Sequence, residues 1–134
     1  MRPVLVDSNV ILDVATDDPV WEDWSSNALA RSADESVLVI NPLVYAEVSI
    51  GFERIEELED VLPVSMFRRD VLPYEAAFLA GKCFLAYRKR GGARISPLPD
   101  FYIGAHAAVA GFRLLTRDAS RYETYFPKIE LISP

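Results

Sequence analysis

The apolar run Pro3-Val4-Leu5-Val6 has no polar alternation and stops on Asp7. So short an unalternated run reads as a strand buried on both faces, which suits a parallel sheet covered by helices. Ser36 to Ile40 and Arg113 to Thr116 repeat the pattern. Helical segments separate them. Residues 8–15 predict one or two helical turns, and Pro19 suits the first turn of a second helix running to about Ala33. Trp21, Trp24 and Ala28 share a face of that helix, for core or partner packing. Pro42 begins a helix through Ser49, Phe52 to Leu62 continues helically, and Leu62-Pro63 breaks the run. Ser65 to Val71 admits a short strand. Pro73 to Arg90 is amphipathic, with Ala76, Leu79, Ala80, Cys83 and Tyr87 on one face, and Gly91-Gly92 ends it. Asp100 to Gly111 is a helix rich in alanine and glycine. Asp118 to about Tyr125 is a short helix, and Lys128 to Ile132 a last strand. Strands alternating with helices in this way predict one α/β domain with a mostly parallel sheet.

Length and composition fit that reading. The chain has 134 residues, of which 51% are hydrophobic, enough for a core without a disorder signature. No apolar stretch reaches the ~18 residues of a membrane span. Met1-Arg2-Pro3 passes directly into a strand, which predicts no secretion signal. The single cysteine, Cys83, gives no disulfide framework and fits a reducing cytoplasm as a small buried apolar residue. The net charge of −6 argues against a simple nucleic-acid binder. Arg88, Lys89, Arg90 and Arg94 nevertheless cluster around Gly91-Gly92, with Arg68 and Arg69 a smaller pair. Such a cluster is either a basic rim beside an acidic pocket or a solvated helix end favoured by the helix dipole.

Four acids stand where a carboxylate is hard to accommodate: Asp7, Glu47, Asp100 and Asp118. In open α/β sheets, sites form beyond the carboxyl ends of parallel strands. Asp7 and Asp118 follow two of the predicted strands and would share that edge, although either can equally serve as a helix cap. Glu47 lies on an apolar helix face beside Leu43, Val44, Ile50 and Gly51, where it needs a specific partner: a cation in a site, or an arginine such as Arg2 or Arg113. Asp100 begins a helix whose same face carries Gly104, Ala107 and Gly111, small residues that let the helix approach the sheet; a cap is again the alternative. Two charges about 4 Å apart repel by about 4 kcal/mol at an effective dielectric of about 20. A cluster of four therefore calls for protons or a hard divalent cation, Mg²⁺ or Mn²⁺ rather than Zn²⁺, since no Cys/His set exists. His106, the only histidine, lies off the Asp100 face and reads as structural or surface. Ser8, Asn9 and Thr116 adjoin the acids and can orient them or a water, or serve as turn and cap residues.

The motifs Asp7-Ser8-Asn9-Val10-Ile11-Leu12-Asp13, Pro42-Leu43-Val44-Tyr45-Ala46-Glu47, Pro99-Asp100-Phe101-Tyr102-Ile103-Gly104-Ala105-His106-Ala107 and Leu114-Leu115-Thr116-Arg117-Asp118-Ala119-Ser120-Arg121-Tyr122 resemble, in order and spacing, those of PIN domains. Among these the chain is most similar to the VapC type, the ribonuclease toxins of toxin–antitoxin pairs. The resemblance implies a three-layer α/β/α fold and a Mg²⁺- or Mn²⁺-dependent endoribonuclease. It also implies a homodimer and a small antitoxin that covers the active-site groove. It makes Asp7, Glu47, Asp100 and Asp118 the catalytic, metal-binding acids, with Asp7 and Asp100 the principal ligands and Asn9 and Thr116 as polar support. Asp13 fits the opening motif, but its helical position points to a structural role. Arg88, Lys89, Arg90 and Arg94 are candidates for steering RNA. A non-catalytic binding module with the same fold is the alternative. A phosphatase with Asp7 as nucleophile is weaker, since Asn9 stands where that chemistry wants a second aspartate. No receiver-domain pattern with a late lysine is evident.

Overall fold

The computed structural model describes residues 1–134. Its centre is a sheet of five short strands: β1 (Val4–Val6), β2 (Leu38–Ile40), β3 (Phe67–Arg69), β4 (Arg113–Leu115) and β5 (Leu131–Ile132). They lie in the order β3-β2-β1-β4-β5, and every pairing is parallel. Seven helices complete the three-layer arrangement: α1 (Ser8–Ala15), α2 (Glu22–Glu35), α3 (Pro42–Ser49), α4 (Ile55–Val61), α5 (Tyr74–Lys89), α6 (Pro99–Ala110) and α7 (Ser120–Tyr125). β1, β2 and β4 are buried along their whole length, as their unalternated sequences require.

The strand order positions the site. From β1 the chain adds β2 and β3 on one side, then crosses to add β4 and β5 on the other. The direction of winding reverses between β1 and β4, and in such sheets a crevice opens there, beyond the carboxyl ends. Val6 pairs with Leu115, so the next residues, Asp7 and Thr116, flank that crevice side by side.

Several local expectations are corrected. The second helix begins at Glu22, because Asp18 accepts hydrogen bonds from the amides of Val20 and Trp21 (2.9 and 2.8 Å) and closes a turn containing Pro19. The last strand is only Leu131–Ile132, since just these residues pair with β4. Asp100 lies in the first turn of α6 rather than at its cap, which is Leu98. The small-residue face of α6 also differs. Gly111 is the left-handed C-cap of the helix (φ 72°) and lies outside it. Gly104 faces the ring of Phe126, which occupies the space a Cβ would need.

That contact ties α6, which carries Asp100, to the end of α7. Gly104→Ala is expected to lower stability by about 1–3 kcal/mol through overpacking. A second change, Phe126→Leu, is expected to recover part of the loss. Urea denaturation of the two single variants and the double variant measures the coupling.

Candidate active site

Asp7 is the best-anchored of the four acids. It is 4% exposed, directly after β1 at the N-terminus of α1. Its Oδ1 accepts the amide of Ser8 at 2.8 Å. Its Oδ2 accepts two hydroxyls, from Thr116 at 2.9 Å and Tyr122 at 2.8 Å. Asp7 is thus both the cap of α1 and a member of the acidic group. Burial pushes its carboxyl above the ordinary range, and these hydrogen bonds oppose the rise.

The hydroxyl that α1 supplies next reaches the second acid. Ser8 Oγ donates to Glu47 Oε1 at 3.0 Å, across the packing of α1 on α3. Neither arginine considered for Glu47 is near it in an ion pair. Arg2 bonds Glu130 at 2.9 Å, and Arg113 faces Glu35 and Glu130 at 3.6 and 3.8 Å. Glu47 is raised by burial and by the charges of Asp7 and Asp100, against the Ser8 hydrogen bond.

Asp100 points from α6 to the same place. Its carboxyl is raised by burial first, then by Asp7, with Arg121 pulling the other way. Arg121 Nη1 stands 3.7 Å from Asp100 Oδ2, and its guanidinium lies over the rings of Tyr87 and Phe101, 5.8 Å from each centroid. Asp118 is the exposed member, accepting the Ser120 hydroxyl at 3.0 Å. All four acids line one cleft of about 290 Å³, together with Ser8, Asn9, Ser120 and Arg121, and no hydrophobic side chain joins them. Arg121 is its only cation.

In this arrangement no three of the acids close around a single point as metal ligands do. The donor set, hard carboxylate oxygens in a polar cleft, suits a divalent cation of the Mg²⁺ type.

A model of the PIN domain matches residues 4–127. The chain belongs to the PIN-domain family. No curated protein matches it by sequence. Its fold is similar to several solved structures. A chain of VapBC2 from Rickettsia felis, bound to a DNA fragment from their promoter, superposes with a TM-score of 0.75 at 19% identity over 98% of both chains. VapBC-1 from nontypeable Haemophilus influenzae gives 0.73 at 16% identity, over 98% of this chain and 97% of that one. A toxin–antitoxin complex from Klebsiella pneumoniae gives 0.67 at 18%, over 96% and 95%.

In this PIN domain the supporting residues are wired to one another. Thr116 is fully buried, and its Oγ1 donates to Asp7 while accepting from Asn9 Nδ2 (3.2 Å) and the amide of Asp118 (3.2 Å). One hydroxyl therefore connects the first motif with the fourth. Asp13 is structural: it takes the Ser25 hydroxyl at 2.7 Å and the Arg117 Nε at 2.8 Å, tying α1 to α2 and to the loop after β4. His106 is also structural and is 1% exposed, its Nδ1 facing Asn41 Nδ2 at 3.0 Å while Asn41 Oδ1 caps α3. Burial keeps its imidazole below the usual pKa.

The basic cluster does not line the cleft. Arg88, Lys89, Arg90 and Arg94 are exposed at the end of α5 and in the following loop. Arg88 donates to the carbonyl of Arg94 at 2.6 Å, and Arg90 covers the ring of Tyr125. Two functional contacts were not foreseen from sequence, Arg121 and Tyr122. Their signal was weak, because an aromatic four residues after Asp118 reads as core packing. Tyr122 is indeed core, at 1% exposure, but its hydroxyl is spent on Asp7. Burial and the Asp7 charge keep that phenol protonated, well above its ordinary pKa.

The raised Asp100 sets a pH test. A carboxyl with a higher pKa folded than unfolded makes the fold lose stability as pH rises through the folded value. Removing the charge by Asp100→Asn is expected to raise the melting temperature of metal-free protein at about pH 7.5. The gain is expected to shrink as pH falls and the wild-type carboxyl takes up its proton. Thermal melts across that range in a chelating buffer check both the sign and the trend.

Proposed function

We propose that this PIN domain is a metal-dependent endoribonuclease, hydrolysing RNA phosphodiester bonds as the toxin of a toxin–antitoxin pair. The observation that carries the reading is the convergence of Asp7, Glu47, Asp100 and Asp118 on one polar cleft with a single cation. Family membership and the fold shared with VapBC chains support it. An uncompensated cleft of this kind repels a phosphodiester, so catalysis there needs a cation between protein and substrate.

Asp7 and Asp100 are the principal ligands in this reading, and Glu47 and Asp118 complete the set or orient the attacking water. Both carboxylate oxygens of Asp7 are hydrogen-bonded, Oδ2 to the Thr116 and Tyr122 hydroxyls and Oδ1 to the Ser8 amide, which fixes the orientation of the carboxylate that would meet the cation. Thr116 fixes that carboxylate, and Asn9 fixes Thr116. A bound Mg²⁺ or Mn²⁺ supplies Lewis-acid chemistry, lowering the pKa of water and offsetting charge on phosphoryl oxygens. Arg121, beside Asp100, is placed to meet the phosphate in that cleft. Arg88, Lys89, Arg90 and Arg94 form the RNA-steering rim: Tyr87, directly before them, lies under Arg121. The phosphatase alternative loses ground, because Asn9 spends its amide on Thr116 and on the Arg117 amide.

The partners follow from the same reading. An antitoxin protein covers the cleft, and the active form is a homodimer. No helix is long and apolar enough to cross a membrane, and the buried free thiol of Cys83 fits a cytoplasmic setting.

Cleavage of a mixed RNA pool with Mg²⁺ or Mn²⁺ tests the proposal. Activity is expected to vanish with EDTA and to fall by about 100-fold or more in Asp7→Asn and Asp100→Asn, which lose charge where the cation binds. Cutting that survives in folded variants sinks the site assignment, and metal binding without cutting favours the binding-module alternative. Thr116→Val is expected to weaken Mn²⁺ binding by about 10- to 100-fold, as loss of a ligand-orienting hydrogen bond does; calorimetry reads it without a substrate. Replacing Arg90 and Arg94 by serine is expected to weaken RNA binding and reduce its salt slope by about two. Filter binding at several salt concentrations measures both.

A further inference from the structure

The acidic cleft has a neighbour along the same edge of the sheet. Val6 pairs with Leu115, Leu5 with Val39, and Ile40 with Arg69. Continued past the strand ends, these registers set Thr116, Asp7, Asn41 and Asp70 in a row beyond β4, β1, β2 and β3. Neighbouring strands lie about 4.8 Å apart, so the row runs about 10 Å from Asp7 to Asp70. At its far end Ile40, Pro42, Tyr45 and Val71 line a second cavity of about 290 Å³, with Asn41, Arg69 and Asp70 among them.

The two cavities differ in chemistry. The cleft holds carboxylates and no hydrophobic side chain. Its neighbour has apolar walls, and the charges around it are paired within the chain. Arg68 grips Asp70 with Nε and Nη2, at 2.9 and 3.0 Å. Arg69 Nη2 donates to Glu59 at 2.6 Å and to the carbonyl of Leu62 at 3.1 Å. Both arginines are thus engaged by acids rather than left free for a phosphate. What Arg69 offers is a surface: its guanidinium lies over the Tyr45 ring, 5.2 Å from the centroid. Guanidinium planes and aromatic rings are the platforms on which unpaired nucleobases stack.

The platform is held in place by the chain itself. The Tyr45 hydroxyl donates at 3.0 Å to Glu59 Oε2, the oxygen that also takes Arg69. Asn41, at the end of β2, is fixed through both ends of its amide. Its Oδ1 accepts the Val44 amide and its Nδ2 faces Nδ1 of the buried His106, each at 3.0 Å. A site already ordered loses little entropy on binding.

We propose that this second cavity is a nucleobase subsite, in which one base of the substrate RNA stacks against the Arg69–Tyr45 pair while a neighbouring phosphodiester lies in the acidic cleft. The inference rests on the RNA-cleaving reading of the cleft and adds to it a contact that selects where the strand is cut. Glu47 and Tyr45 are two residues apart on α3 and so face opposite sides of it. The strand joining cleft and subsite therefore passes over the amino end of α3, an end that favours the connecting phosphate.

Abasic scanning tests the subsite without chemistry. A single-stranded RNA is prepared with one base removed at each position in turn. Its binding to the full chain is measured by filter binding with Mg²⁺, in an Asp7→Asn background so that no cutting is needed. Removal of one particular base is expected to weaken binding by about tenfold. Tyr45→Leu is expected to weaken binding of the intact RNA by a similar factor and to make removal of that base cost nothing further. Tyr45→Phe is expected to keep the effect of base removal. Both variants lose the hydrogen bond to Glu59 and differ in the ring, so a loss of stability common to the two does not imitate the result. The salt slope is expected to stay unchanged in Tyr45→Leu, because no phosphate contact is removed. Absence of RNA binding, absence of a base-sensitive position, or sensitivity that survives Tyr45→Leu overturns the subsite. Cutting by the wild type is assayed separately. Uncut RNA with the base effect present overturns the nuclease reading alone, and cut RNA without it overturns the subsite alone.

Discussion

Asp7 holds the site together. It is a nearly fully buried carboxylate at the reversal point of an all-parallel sheet, and it organises three other segments around itself. Ser8 follows it and reaches Glu47 on α3. Thr116, beyond β4, donates to Oδ2 and gathers Asn9 and the Asp118 amide. Tyr122, on α7, donates to the same oxygen. A buried carboxylate is tolerated only when hydrogen bonds or a cation replace its lost water. Here neutral hydroxyls and one amide do so, and they leave the charge in place to face the cleft.

The surrounding fold keeps that charge available. The strands are too short to build a wide floor, so the helices bring most of the chemistry: α1, α3 and α6 each carry one acid or its partner to the carboxyl edge. The cations are kept elsewhere. Arg117 is held by Asp13 and covers Trp21, and Arg113 is buried against Glu35 and Glu130. Only Arg121 reaches the acids, at 3.7 Å, and its guanidinium is also stacked between aromatic rings. The outcome is a cleft in which burial raises Asp7, Glu47 and Asp100, and neighbouring acids raise Glu47 and Asp100 further.

Reading the chain as a string of residues recovered the layered α/β architecture, because unalternated runs such as Pro3–Val6 and Ser36–Ile40 suit strands buried in a covered parallel sheet. It recovered the cleft membership of Asp7, Glu47, Asp100 and Asp118, because carboxylates beside apolar runs demand a reason. It read Asp13 as structural from its helical position, and that carboxylate bonds Ser25 and Arg117. It misjudged Gly111, a helix cap, and it gave Gly104 the sheet as a neighbour where the structure has Phe126. Both errors concern which surface an atom meets, and helical periodicity does not carry that information.

The sequence by itself determined the strand pattern, the acidic motifs and the absence of a Cys/His metal set, since these follow from residue type and local spacing. Only the tertiary structure decided that Ser8 rather than an arginine would satisfy Glu47, and that a core tyrosine would donate to Asp7. It likewise decided that Arg121 rather than the Arg88–Arg94 cluster would enter the cleft. Those outcomes depend on contacts between segments up to 115 residues apart, such as Tyr122 with Asp7. The topology of the sheet sets such distances, and no local rule of composition or periodicity encodes them.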